Sequence, residues 1–195
     1  MTFKEKLIEL NACESACLWV GNKTAQESWD TSERGDWMLW LMKYSAINTL
    51  AHRRKLIKCI CEIAERSLKY LPKEENRPAE ALKLAFKWAD GEKVTKEALL
   101  KASDSAYAAY IAEKATYANL TTATSANAVK AAHAAFTAYG ATVTNVALAA
   151  TNATNATNAA ANVANVADAA ANATEKKAQA NIIRKYFKMM PKLRV

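Results

Sequence analysis

Residues 33–42 read Glu33-Arg34-Gly35-Asp36-Trp37-Met38-Leu39-Trp40-Leu41-Met42. The last six are apolar without interruption. Gly35 is read as the stop of a preceding helix, and Asp36 as the cap of the next, its carboxylate accepting the orphan amides of the first turn. A helix that is apolar all round is buried all round. The stretch therefore predicts an all-α fold with Trp37 and Trp40 at its centre.

Working outward, the same start and stop signals recur. Thr24-x-x-Glu27 reads as a capping box opening a short helix that reaches about Arg34. Before it, Phe3, Leu7, Leu10, Cys13, Cys17 and Val20 recur at spacings of three and four, which predicts one amphipathic helix over 3–20, ended by Gly21-Asn22. After it, residues 52–71 are expected to form a helix with Leu56, Ile60, Ile63 and Leu68 inward. Pro72 to Pro78 is a polar connection, and Pro78 suits a first helical position because its missing N–H is not needed there. That helix is expected to end near Trp88, before Gly91, with Thr95 capping the next one. Trp29 and Trp88 are assigned to the core with Trp37 and Trp40.

From Asp104 to Thr174 the composition changes: 29 of 71 residues are Ala, and Gly140 is the one strong breaker. Ala is the best helix former, so two long helices are expected, about 95–139 and 141–189. They either kink, with Ser103–Ser105 and Thr121–Ser125 as candidates, or extend together as a hairpin. Asn145, Asn152, Asn155, Asn158, Asn162, Asn165 and Asn172 share one face, opposite a face that is nearly all Ala. Small residues let two backbones approach closely, so the tract is read as a packing helix with a solvated polar stripe, the alternatives being a partner-binding ridge or a homodimer through the Ala-rich helices. The chain reads as a single all-helical domain, 1–195, with a Trp-rich part at 1–92 and an Ala/Asn/Thr-rich part at 93–195. Four Gly and three Pro in 195 residues argue against sandwiches, barrels and doubly wound sheets, which need many turns.

The chain carries 27 Lys and Arg against 19 Asp and Glu, a net charge of +8. A surface of that sign attracts anions. The excess sits in two runs: Arg53, Arg54, Lys55 and Lys58, and the stretch 175–195 with Arg184, Lys185, Lys188 and Lys192. No apolar leader and no unbroken run of about 18 apolar residues is visible, so a cytoplasmic protein without a membrane span is expected.

Chemistry is sparse. Cys13, Cys17, Cys59 and Cys61 are read as core cysteines, because Cys59 and Cys61 on one helix point away from each other and do not converge on a metal ion. There is no Gly-rich phosphate loop, no Gly-x-Ser-x-Gly and no His-Glu-x-x-His, and two distant histidines leave little acid–base capacity. Glu33 and Asp36 lie close enough for hydrolytic work but are read as a cap and an ion pair. No catalytic residue, metal or cofactor is assigned. Arg184-Lys185-Tyr186-Phe187-Lys188 combines bases with aromatics that could stack on nucleobases, yet Ile182, Ile183, Tyr186, Phe187 and Met190 also trace one packed helical face.

These residues carry a resemblance. Ala12-Cys13-Glu14 to Trp19, Trp29 with Glu33 to Leu41, Cys59-Ile60-Cys61, Asn76-Arg77-Pro78 with Ala81, Lys87-Trp88-Ala89-Asp90-Gly91, and Ile182 to Tyr186 together resemble the Imm-5-like immunity-protein family of bacteria and phage-associated genes. The similarity spans nearly the whole chain; Asn and Thr interrupt the Ala tract here where the family carries aromatics and Arg. The resemblance implies an all-helical, non-catalytic protein of bacterial conflict that neutralises a macromolecule, either a toxin or a host defence effector. The charge implies an acidic or nucleotide-bearing partner, since nuclease-blocking immunity proteins present acidic surfaces. The alternative is a nucleic-acid- or nucleotide-binding protein using its basic patches. The candidate binding residues are Arg34 and Asp36 as a pair fixing the helix junction, Arg77 as a candidate partner of that pair, Arg53, Arg54 and Lys55, and Arg184, Lys185 and Lys188.

Overall fold

The computed structural model describes residues 1–45, 49–102, 104–105, 107–109 and 169–193. Among them the regular structure is all helical, apart from an isolated antiparallel bridge between Ser45 and Leu193. The all-α class read from the sequence holds.

The first helix of the sequence reading is two helices, α1 (Phe3–Glu9) and α2 (Glu14–Val20). Asn11 separates them with φ 58°, a left-handed conformation that Asn tolerates better than most residues. The Ala12 amide reaches back to the Leu7 carbonyl and the Asn11 amide to Ile8, which is a Schellman closure. The apolar spacing runs straight across this break, which is why periodicity hides it. Cys13 consequently leaves the buried stripe and is exposed, whereas Cys17, Cys59 and Cys61 are buried and free.

Helix α3 (Ala25–Thr31) starts with the expected capping box: the Thr24 amide donates to Glu27 Oε2 at 2.7 Å and the Glu27 amide to Thr24 Oγ1 at 3.2 Å. It stops at Thr31, with Ser32 as its cap. Helix α4 (Gly35–Met42) then begins at the glycine that was read as a stop, so Asp36 sits inside the first turn and is not the cap. Met38, Leu39, Leu41 and Met42 are buried, but Trp37 and Trp40 are only half-buried. Helix α5 (Leu50–Glu65) is capped by Thr49, whose Oγ1 accepts the His52 amide, and a 3-10 turn at Leu68–Tyr70 follows it. Helix α6 (Arg77–Asp90) carries Pro78 in its first turn and ends at Gly91, φ 96°. Thr95 caps α7 as expected, accepting the Ala98 amide at 3.1 Å; α7 runs from residue 96 and is described to 109, apart from 103 and 106. The last helix, α8, is Ala169–Tyr186, three residues shorter at its end than read. Most of the two long helices read over 95–139 and 141–189, the Asn-rich face from Asn145 to Asn165, the Thr121–Ser125 kink candidate and any Ala-rich dimer contact lie outside the described residues, as does Ser103.

Helix α5 is the centre of the core. Leu56, Ile57, Cys59, Ile60, Cys61, Ile63 and Ala64 are buried on it, between α6 and α8. Each such Leu or Ile contributes about 1.5–3 kcal/mol by leaving water. The facing surface of α6 is small, with Ala81, Ala85 and Ala89 around Leu82, so the two helices pack closely. Helix α8 lies against both α4 and α5 and buries Ala180 and Ile183, with Phe187 just beyond its end. Ile182, Tyr186 and Met190 pack partly buried beside them, so this face belongs to the core.

Candidate functional site

Past Tyr186 the chain leaves α8 and is strapped across α3. The Trp29 indole Nε1 donates to the Phe187 carbonyl at 2.8 Å, and the Met190 amide donates to Gln26 Oε1 at 3.0 Å. Leu193 closes the strap on Ser45. These anchors turn the residues after α8 against the start of α5 and form a groove of about 550 Å³. Lys55 and His52 line it from α5; Lys185, Lys188 and Lys192 line it from the end of α8 and the strap. No carboxylate is among its described lining residues. Two basic runs some 130 positions apart in sequence thus share one concave surface.

The four lysines are not equivalent. Lys185 Nζ lies 2.8 Å and 3.0 Å from the two Glu62 oxygens, and the Tyr186 hydroxyl donates to the same carboxylate at 2.8 Å. Burial, followed by that contact with Glu62, pushes the Tyr186 phenol well above its ordinary value. Lys55 Nζ stands 5.1 Å from the centre of the buried Phe187 ring. Lys188 and Lys192 are exposed. Met189, between them and 75% exposed, gives the groove an apolar element.

The other predicted binding residues lie elsewhere. Arg184 turns inward: its Nη1 donates to the carbonyls of Trp29 at 3.1 Å and Ser32 at 2.7 Å, and its Nη2 to Asn181 Oδ1 at 2.8 Å. Desolvation lowers the pKa of this guanidinium, whose work is to satisfy the last carbonyls of α3. Arg53 and Arg54 hold their guanidinium carbons 5.3 Å and 5.8 Å from the Trp88 ring, and Arg54 also packs on Gly91. Arg77 engages Glu75 through paired hydrogen bonds at the start of α6 and does not join the α3–α4 junction as expected.

At that junction Arg34 Nε and Nη2 donate to Asp36 Oδ1 and Oδ2 at 2.8 Å and 2.7 Å. The second cation there is Lys176 of α8, 3.6 Å away. Burial alone would raise the Asp36 carboxyl, but the Arg34 hydrogen bonds and charge, helped by Lys176 and the Trp37 amide, hold it below its ordinary value. Glu33 pairs with Lys177. The Arg34–Asp36 pair therefore forms as read.

Beside it lies an apolar cleft of about 360 Å³ between α1, α2, α3 and α4. Trp19 and Trp37 meet across it with ring centres 6.0 Å apart at 60°, Lys23 over the first ring and Arg34 over the second. This explains why Trp37 is not central: one side of α4 is covered by α8, the other faces the cleft. Met190 forms part of the wall of both the cleft and the groove.

Sequence reasoning missed His52, Met189 and Lys192 as groove residues. Lys192 carried a signal, since it belongs to the C-terminal basic run; Met189 carried none. Among the described residues no three His, Cys, Asp or Glu side chains come together to hold a metal ion, and no helix is long and apolar enough to cross a membrane. No protein-family model matches the chain, and neither a curated protein nor a solved structure does.

Proposed function

We propose that the protein acts by binding, without chemistry of its own, and that the groove of Lys55, Lys185, Lys188 and Lys192 takes an anionic macromolecular partner. The observation that carries this reading is the convergence of two distant basic runs on one concave surface, with no acid among its described lining residues. Like charges gathered in a cleft focus field lines, which steers an oppositely charged partner and speeds association. The two carboxylates suited to hydrolysis, Glu33 and Asp36, are occupied by Lys177 and by Arg34 with Lys176, which supports a structural role for both.

The resemblance to the Imm-5-like family supports placing this binding in bacterial conflict, as immunity to a toxin or as inhibition of a host defence effector. A cytoplasmic setting suits four free thiols. The test is co-expression with candidate toxins and defence effectors. The wild-type chain is expected to neutralise one of them, and the charge-reversed Lys188→Glu/Lys192→Glu chain is expected to fail while remaining folded. Equal protection by both chains would overturn the assignment of the groove. Nucleic acid or a nucleotide is the second reading, carried by the same four cations.

A further inference from the structure

We infer that the groove is built for an acidic polypeptide segment, whose carboxylates meet Lys55, Lys188 and Lys192 while an apolar side chain between them rests on Met189. This rests on the reading that the groove binds an anion, and it names which anion.

The first observation is where the arginines point. The planar fork of a guanidinium grips a phosphate or a carboxylate through two parallel hydrogen bonds, whereas an ammonium is a compact point charge. Arg184 spends its fork on the Trp29 and Ser32 carbonyls, and Arg53 and Arg54 lie over Trp88. Among the described residues the groove is left with the ammonium groups of its lysines, which read charge alone and accept a carboxylate as readily as a phosphate.

The second observation concerns stacking. Single strands gain much of their affinity from bases laid on open aromatic faces. Phe187 is 7% exposed with Lys55 over its ring, and the Tyr186 hydroxyl is held by Glu62 with Lys185 beside the ring. The two aromatics of the basic run are thus committed to the fold. The Glu62 carboxylate already pairs with Lys185, which leaves an incoming anion to Lys55, Lys188 and Lys192.

The third observation is Met189, standing out between Lys188 and Lys192 with Pro191 beside it in the lining. A flexible, polarizable thioether at the surface adapts to varied apolar side chains. A phosphate backbone has nothing apolar to place there, but a polypeptide that alternates acidic and aliphatic residues does. Charge and apolar contact occur together in this groove, as they do in protein–protein contacts.

Fluorescence anisotropy with the full chain tests this with three labelled probes: a twelve-residue peptide of four Glu-Glu-Leu repeats, a twelve-nucleotide mixed DNA strand, and a twelve-base-pair duplex. At low ionic strength the peptide is expected to bind at least about tenfold more tightly than either DNA, and to weaken as salt is added. Lys188→Glu/Lys192→Glu is expected to lower peptide affinity about tenfold or more, as reversed rim charges do. Met189→Asp should weaken the peptide further than it weakens DNA, and a Glu-Glu-Ser peptide should bind less well than Glu-Glu-Leu. All the substituted positions are exposed, and thermal melts confirm that the variants fold. DNA binding equal to or tighter than peptide binding overturns the inference and leaves the anion-binding groove standing. Failure of all three probes at low salt overturns both.

Discussion

Gly35 and Gln179 meet with no room between them: a Cβ on the glycine would stand 2.6 Å from the Gln179 Cβ and 2.9 Å from the Ala180 amide nitrogen. The first turn of α4 therefore lies directly on the backbone of α8. Around this contact the junction is pinned by Asp36 to Lys176, Glu33 to Lys177, and Arg184 to the end of α3. The same helix then delivers Lys185 and the strap to the groove.

Gly35→Ala should force α8 away from α4, because the closest atoms are a Cβ and backbone and not a flexible side-chain tip. Overpacking of this kind costs about 1–3 kcal/mol. Urea unfolding measures it, and a variant as stable as the wild type would mean that the helices separate freely.

The depressed Asp36 carboxyl makes stability depend on pH with a definite sign. Unfolded, an aspartate titrates near about pH 3.9; folded, Asp36 titrates lower. In that window the unfolded chain holds the proton and the folded chain does not, so stability is present above it and is lost as pH falls through the folded value. Asp36→Asn should cost about 1 kcal/mol at neutral pH, a modest figure because Arg34 is more than a third exposed. It should also flatten the acid limb of the melting-temperature profile. An acid limb as steep as the wild type's would show that other carboxylates govern it.

The tryptophans should separate into classes. Trp29 is 2% exposed and its indole nitrogen holds the strap, so Trp29→Ala should cost about 3–5 kcal/mol. Trp88 is half-buried and is held by Arg53 and Arg54, so Trp88→Ala should lose less, about 1–2 kcal/mol. Denaturant midpoints of the two variants, compared directly, check the order.

Two basic residues four positions apart should behave in opposite ways. Arg184→Ala removes the donor to two carbonyls and should cost about 2 kcal/mol. Lys188→Ala trims an exposed side chain and should stay within about 0.5 kcal/mol of the wild type, yet lower affinity for the acidic peptide. Melting curves and peptide titration on the same two variants separate the roles.

Much of the fold was legible in the chain because it follows from neighbours in sequence. The Thr24–Glu27 box, the Gly91 stop, the Thr95 cap and the buried face of α5 each need only a few adjacent residues, and the scarcity of Gly and Pro excluded sheets. The same local rules misread Gly35 and Asp36, since a glycine at a helix boundary serves a stop or a close approach equally well. They also ran one helix through Asn11, where the apolar spacing continues although the backbone turns.

What only the tertiary structure decided is which surface covers which. Periodicity shows that a face is apolar, but not whether a neighbour lies over all of it, so Trp29 is buried while Trp37 stays half-buried in the wall of a cleft. A run of basic residues likewise has no direction until its helix is packed: Arg184 turns in to the carbonyls of α3, and Lys188 turns out. Lys55 and Lys192 share a groove because α8 lies on α5 and the strap is tied to Trp29 and Gln26. That proximity is a long-range contact, and no local pattern encodes it.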